Sequence, residues 1–153
     1  MHWLEHLIPP PLVALLVGLA MWGLSRFSAP FVATFEPRLA AFVVLLALGF
    51  ASSVSGFLTF RRAGANPDPH RIDRGEVLVT GGVYRWTRNP MYLGLALALC
   101  GYAIYLSRPV AILGPIAFIA FITRFQIIPE ERAMSAKFGD SYARYRNGTR
   151  RWL

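Results

Sequence analysis

Residues 91–128 read MYLGLALALCGYAIYLSRPVAILGPIAFIAFITRFQII. The stretch is apolar almost throughout and is broken once, by Ser107-Arg108-Pro109. As a helical hairpin it is long enough to cross a hydrocarbon core of about 30 Å twice. Polar motifs stand at both ends. Before it come Thr80-Gly81-Gly82-Val83-Tyr84-Arg85-Trp86-Thr87-Arg88-Asn89-Pro90; after it come Pro129-Glu130-Glu131-Arg132, then Phe138-Gly139 and Tyr142. A hairpin returns its two ends to one face, so the motifs are expected side by side at one membrane surface. Bulk anchoring does not need Arg, Asn, Tyr and paired Glu in that combination; chemistry does.

The rest of the chain extends this reading. Of its 153 residues, 55% are apolar and 16% charged, too apolar a balance for an ordinary soluble domain. Four runs carry the excess: Leu12 to Phe27, Leu39 to Phe60, Met91 to Leu106, and Val110 to Ile128. Each holds about 16 to 22 residues, against the roughly 20 needed for a crossing. The expected fold is all-α and integral to the membrane: about four transmembrane helices plus a C-terminal amphipathic helix, in one domain. Its parts are a first hairpin (1–60), a cytoplasmic loop (61–90), a second hairpin (91–128), and the amphipathic helix with its tail (129–153). The first run is read as a retained helix. No Lys or Arg precedes it and no small-x-small cleavage site follows. Pro9-Pro10-Pro11 sits where a helix start tolerates proline. Ser28 to Arg38 joins the first two helices, with Pro30 and Pro37 as breakers. Glu76-Val77-Leu78-Val79-Thr80 reads as a short β-type run.

The net charge of +8 raises nucleic acid as a partner, but its distribution argues against that. Arg61, Arg62, Arg71, Arg74, Arg85 and Arg88 lie between the second and third runs. Arg132, Lys137, Arg144, Arg146, Arg150 and Arg151 follow the fourth. The opposite loops offer only Arg26, Arg38 and Arg108. The positive-inside rule puts both termini in the cytoplasm. The short, Arg-rich chain reads as a bacterial inner-membrane protein, with anionic lipid headgroups as partners at about 1 kcal/mol per basic residue. Cys100 is the single cysteine and reads as small apolar packing. His2, His6 and His70 have no metal-ligand spacing, so no metal is expected.

Beyond Pro129, residues Met134, Phe138, Tyr142 and Tyr145 recur at helical spacing. They make one aromatic stripe opposite Arg132, Lys137 and Arg144. Arg124 lies inside the fourth run, about one helical turn from its end. It either snorkels to the headgroups or faces the bundle interior as a site residue. Other bland readings stand beside the functional ones. Glu130 and Glu131 also suit a helix N-terminus. Arg88 also suits a headgroup, and Trp86 and Trp152 also suit an interfacial belt.

Taken together, Gly82-Val83-Tyr84, Arg88-Asn89-Pro90-Met91-Tyr92-Leu93-Gly94, Glu130-Glu131 and Phe138-Gly139-Asp140-Ser141-Tyr142-Ala143-Arg144-Tyr145 resemble the isoprenylcysteine carboxyl methyltransferase family. They are also similar to the related phospholipid N-methyltransferases. The resemblance covers about half the chain, from Gly75 to Trp152. It implies an integral membrane methyltransferase with S-adenosylmethionine as cofactor and a lipophilic small molecule or lipid, drawn from the bilayer, as methyl acceptor. It implies Gly82, Tyr84, Arg88, Asn89, Pro90, Tyr92, Leu93, Glu130 and Glu131 as cofactor-binding. Asn89 departs from the His of the eukaryotic pattern; it keeps hydrogen bonding but cannot titrate near neutrality.

Chemical reasoning points the same way. The planar fork of Arg88 suits the cofactor's carboxylate, and Glu130 or Glu131 suits its ammonium. Arg88, Glu131 and Arg124 are the candidate catalytic residues. Arg144, Tyr142 and Tyr145 are the candidates for the substrate. Methyl transfer to a carboxylate needs alignment and exclusion of water; transfer to an amine also needs a proton removed, a role open to Glu131. Two other classes compete: a non-enzymatic membrane scaffold or subunit, and a nicotinamide-dependent membrane reductase. A soluble-type nucleotide fold has no strand-GxGxxG-helix unit to support it.

Overall fold

The computed structural model describes residues 8–31, 34–64 and 77–153. Five α-helices form the fold: α1 (Pro10–Ser25), α2 (Phe35–Arg62), α3 (Pro90–Leu106), α4 (Leu113–Ile122) and α5 (Ile128–Gly148). Tight 3-10 turns at Gly82–Arg85 and Pro109–Ile112 lead into α3 and α4, and a π-helical turn, Thr123–Ile127, joins α4 to α5. No strand occurs among the described residues. Val77 to Thr80, expected as a β-type run, has no regular structure, and Glu76 lies outside the described residues. So do His2, His6 and His70.

Proline sets several boundaries as its missing N–H allows. Pro10 and Pro90 open α1 and α3. Pro37, expected as a breaker, instead lies in the first turn of α2, which begins at Phe35. No backbone donor is needed there.

The packing order differs from the chain order. α2 packs on α3, whereas α1 packs on α3 and α4. The first two helices, expected as a hairpin, are therefore not principal partners. Small residues explain why α3 sits so close to α2. A Cβ at Gly94 would overlap Ser53 and the Gly49 carbonyl, and one at Gly56 would meet Pro90. Ser52 Oγ donates to the Pro90 carbonyl at 2.8 Å, and Ser53 Oγ to that of Met91 at 3.3 Å. Close backbone approach with hydroxyl cross-links is how helices associate where no hydrophobic drive acts between them.

The core of the bundle holds Val13, Met21, Ala96, Leu99, Phe118, Ile122 and Ile127. Outside it, α1 and α2 expose Leu15, Leu19, Val43, Val44, Leu48 and Phe50. Two helical stretches are long and apolar enough to span a membrane, Phe35–Arg62 and the continuous Pro109–Gly148; α1 and α3 are shorter apolar helices. Only 11% of the apolar window of α2 is buried, whereas the core helix of a soluble protein is mostly covered. An apolar surface of that extent suits lipid, not water.

At one end, the Ser107 hydroxyl donates to the Phe31 carbonyl at 2.8 Å, the Phe31 N–H returns a bond to the Ser107 carbonyl at 2.7 Å, and Arg108 donates to the Ser28 carbonyl. The opposite end gathers the start of α1, the end of α2, the start of α3, the π-turn and the start of α5. There, Gln126 Nε2 donates to the Ile8 carbonyl at 3.0 Å.

Candidate functional site

Both polar motifs meet at that second end, as the hairpin reading requires. Arg88 Nη2 lies 2.8 Å from Glu131 Oε1, with the two side chains 10% and 12% exposed. Asn89 occupies the N-cap of α3 but makes no side-chain cap. Its Nδ2 reaches away from the helix to the Arg151 carbonyl, 2.9 Å distant. Pro90 follows as the first residue of α3. Within the first turn of α3, Tyr92 donates its hydroxyl to Glu130 Oε1 at 2.5 Å. Leu93 comes next, half-buried.

The C-terminal tail completes the network, a part the sequence reading missed. The chain leaves α5 at Gly148 and runs beside Thr87 and Arg88. Arg88 N–H donates to the Arg150 carbonyl at 3.0 Å, and Thr87 Oγ1 to that of Arg151 at 3.3 Å. Arg88 Nη1 donates to the carbonyls of Arg146 and Thr149, at 2.8 and 2.6 Å. Arg151 then grips Glu131 with two donors, Nε to Oε1 at 3.0 Å and Nη2 to Oε2 at 2.7 Å. Trp152, read from sequence as an interfacial anchor, is half-buried against the core. Its indole N–H donates to Thr123 Oγ1 in the π-turn at 3.2 Å. An Arg-Arg-Trp terminus looks the same in sequence whether it meets headgroups or folds back, so the sequence carried no signal to separate the two.

The two acids differ sharply. Glu130 is half-buried with the Tyr92 hydroxyl as its hydrogen-bond partner, and desolvation pushes its carboxyl up to about 7. Burial also works against the charge of Glu131, but the hydrogen bonds from Arg151 and Arg88 outweigh it and hold that carboxyl below its usual value. Both residues lie beyond Ile128, the end of the last apolar run.

The remaining candidates divide. Tyr84 and Tyr145 sit in a small satellite core with Val79 and Phe60, and Tyr145 donates its hydroxyl to the Tyr84 carbonyl at 2.8 Å. Tyr142 is buried on the same side of α5. Gly139 makes this possible: at φ 50 and ψ −125 it kinks α5, in a region open almost only to glycine. The amphipathic helix is therefore two segments, and the second folds its tyrosines over the site. Gly82 is at φ 59 with Thr59 beneath it, which marks a turn. Arg144 is exposed. Arg124 is exposed on the π-turn, its guanidinium 5.6 Å from the ring centroid of Phe125. This placement departs from a position facing the bundle interior. Trp86 is 77% exposed, as an interfacial belt residue is.

The fold and this geometry define a helical membrane protein with an ion-paired polar site at one end of its bundle. The chain belongs to the phospholipid methyltransferase family, whose model matches residues 37–141, well over half of its length. That family includes the isoprenylcysteine carboxyl methyltransferases. An uncharacterised protein of Haemophilus influenzae is 48% identical over 63 residues, which is 41% of this chain and the whole of that protein. No solved structure matches. The family match contains the first motif and the second as far as Ser141, while α1, Tyr142, Tyr145 and the rest of the tail lie outside it.

Proposed function

We propose that this protein is a membrane S-adenosylmethionine-dependent methyltransferase acting on a lipophilic acceptor, an isoprenylcysteine-like carboxylate among the candidates. Four crossings, cytoplasmic termini and the bacterial inner membrane complete the reading. The observation that carries it is the Arg88–Glu131 pair, which joins the two motifs at one end of the bundle. Family members generally use this cofactor.

The residues present fit its amino-acid end. Among the described residues, Arg88 Nε and the Tyr84 hydroxyl are buried polar atoms without a partner. Arg88 is paired with Glu131, and Tyr84 packs with Tyr145 at the same end of the bundle. Two unfilled donors at one end of the bundle, one of them on the arginine paired with Glu131, suit a ligand carrying both a carboxylate and an ammonium. Arg88 would hold the carboxylate; Glu130 and Glu131 would face the ammonium; Tyr92 fixes the rotamer of Glu130. When bound, the cofactor supplies an electrophilic methyl group on a positively charged sulfur. A carboxylate acceptor arrives ionised, so the chain's task is to orient it and exclude water. Tyr142 and Tyr145, folded over the site by the Gly139 kink, serve that exclusion.

Calorimetric titration of S-adenosylmethionine and S-adenosylhomocysteine into detergent-purified protein tests this reading, with Arg88→Ala and Glu131→Ala alongside. Saturable binding lost in both variants supports it. Absence of binding to folded wild type overturns it, and a parallel titration with a reduced nicotinamide cofactor tests the reductase class.

A further inference from the structure

We infer that Arg151, in the C-terminal tail, is a positioning residue for the cofactor's ammonium, acting through Glu131; this rests on the methyltransferase reading above. Glu131, paired with two guanidiniums, is an ionised carboxylate. Its two oxygens offer about four lone-pair positions. Arg88 Nη2 and Arg151 Nε fill two on Oε1, and Arg151 Nη2 fills one on Oε2. Among the described residues, one acceptor position is left, on Oε2. Two of the three donors come from one rigid guanidinium, so Arg151 decides which way the carboxylate plane faces. With Arg88 alone, Glu131 is held through a single oxygen and can rotate about it.

Arg151 is itself held in place by the first motif. Asn89 Nδ2 and Thr87 Oγ1 donate to its carbonyl, Arg88 N–H donates to the carbonyl before it, and Arg88 Nη1 reaches two further carbonyls of the same segment. On the far side, Trp152 is fixed to Thr123. The signature residues of the first motif thus reach the second by two routes. One is the direct ion pair. The other runs through the tail. An open cleft of about 520 Å³ lies against this segment, with Arg88, Arg146, Arg150 and Arg151 in its wall. The tail makes most of the wall of that cleft, and Arg88 and Arg151, the two partners of Glu131, both border it.

The second route gives Asn89 a task that needs a donor and no titration, and that task requires no histidine.

The test compares S-adenosylhomocysteine with its analogue lacking the α-amino group, titrated into full-length wild type, Arg151→Gln and Arg151→Lys. Wild type is expected to prefer the amino compound by about tenfold or more, as a charge-assisted hydrogen bond implies. In Arg151→Gln the preference falls below about threefold. Arg151→Lys, which keeps the charge without the fork, lies between. A merely structural role would weaken both ligands alike and leave their ratio unchanged; that result overturns the inference. So does a wild type without preference. If Arg151→Gln does not fold, Arg151→Lys decides, since an unchanged ratio there counts against the role of the fork. Wild-type protein that binds neither ligand overturns the methyltransferase reading itself, and this inference with it.

Discussion

Arg88 and Glu131 stand 43 positions apart in the chain and meet at 2.8 Å. The whole second hairpin lies between them, so the contact measures whether its two ends return to one place. The pair is largely shielded from solvent, and Arg151 shares it. Glu131→Gln removes the charge that two guanidiniums face. Because partly buried partners are left uncompensated, the expected loss is about 2 to 4 kcal/mol, read as a fall in melting temperature in detergent. Adding Arg88→Gln on top should cost much less than the sum of the two single changes, since coupled residues are not additive.

Glu130 predicts a pH dependence. Its folded value of about 7 lies above the ordinary 4.5. The unfolded chain therefore loses this proton first. The associated stability is complete below about pH 4.5 and declines until the folded group ionises near pH 7. Glu130→Gln keeps a polar partner for Tyr92 and removes the titration. The difference between the wild-type and variant melting profiles should fall as the pH rises from about 4.5 to about 7. His2, His6 and His70 are common to both proteins, so they largely cancel. Parallel profiles would contradict the assignment.

The α2–α3 contact predicts where a methyl group is not tolerated. Gly94→Ala and Gly49→Ala place a Cβ against backbone of the facing helix, and overpacking of this kind costs about 1 to 3 kcal/mol or more. Gly23→Ala meets nothing within 4 Å and should be neutral or slightly stabilising. Thermal unfolding of the three variants in one detergent orders them.

Gly139→Ala should cost about 1 to 3 kcal/mol through backbone strain alone, since the open space around it rules out a clash. It should also weaken S-adenosylhomocysteine binding in calorimetry, because the kink is what folds Tyr142 and Tyr145 back. Full binding in a destabilised variant would separate the kink from the site.

Asn89 acts in the structure as a donor to the Arg151 carbonyl at 2.9 Å. Asn89→Asp sets an acceptor against an acceptor and should lose about 1 to 3 kcal/mol. Asn89→His can still donate and should lose less. Equal effects of the two in thermal unfolding and in ligand binding would remove the donor role.

The sequence by itself determined the helices and the meeting of the motifs. Long apolar runs can satisfy their backbone groups in lipid only as helices. A hairpin between two such runs leaves its ends little freedom, so Arg88, Tyr92, Glu130 and Glu131 were legible as one cluster. Pro9-Pro10-Pro11 marked the start of α1, because proline gives up nothing there. The tertiary structure alone decided the rest. Which helices pack is set by shape, here by Gly49 and Gly94, and hydropathy is blind to that. The fate of Arg124 and Arg151 is similar: an arginine near a membrane surface looks alike in sequence whether it reaches for headgroups or a carboxylate. Arg124 is exposed on the π-turn, and Arg151 pairs with Glu131. The difference lies in the backbone at Gly139 and Gly148, where the chain stops being a straight helix and turns back across its own site.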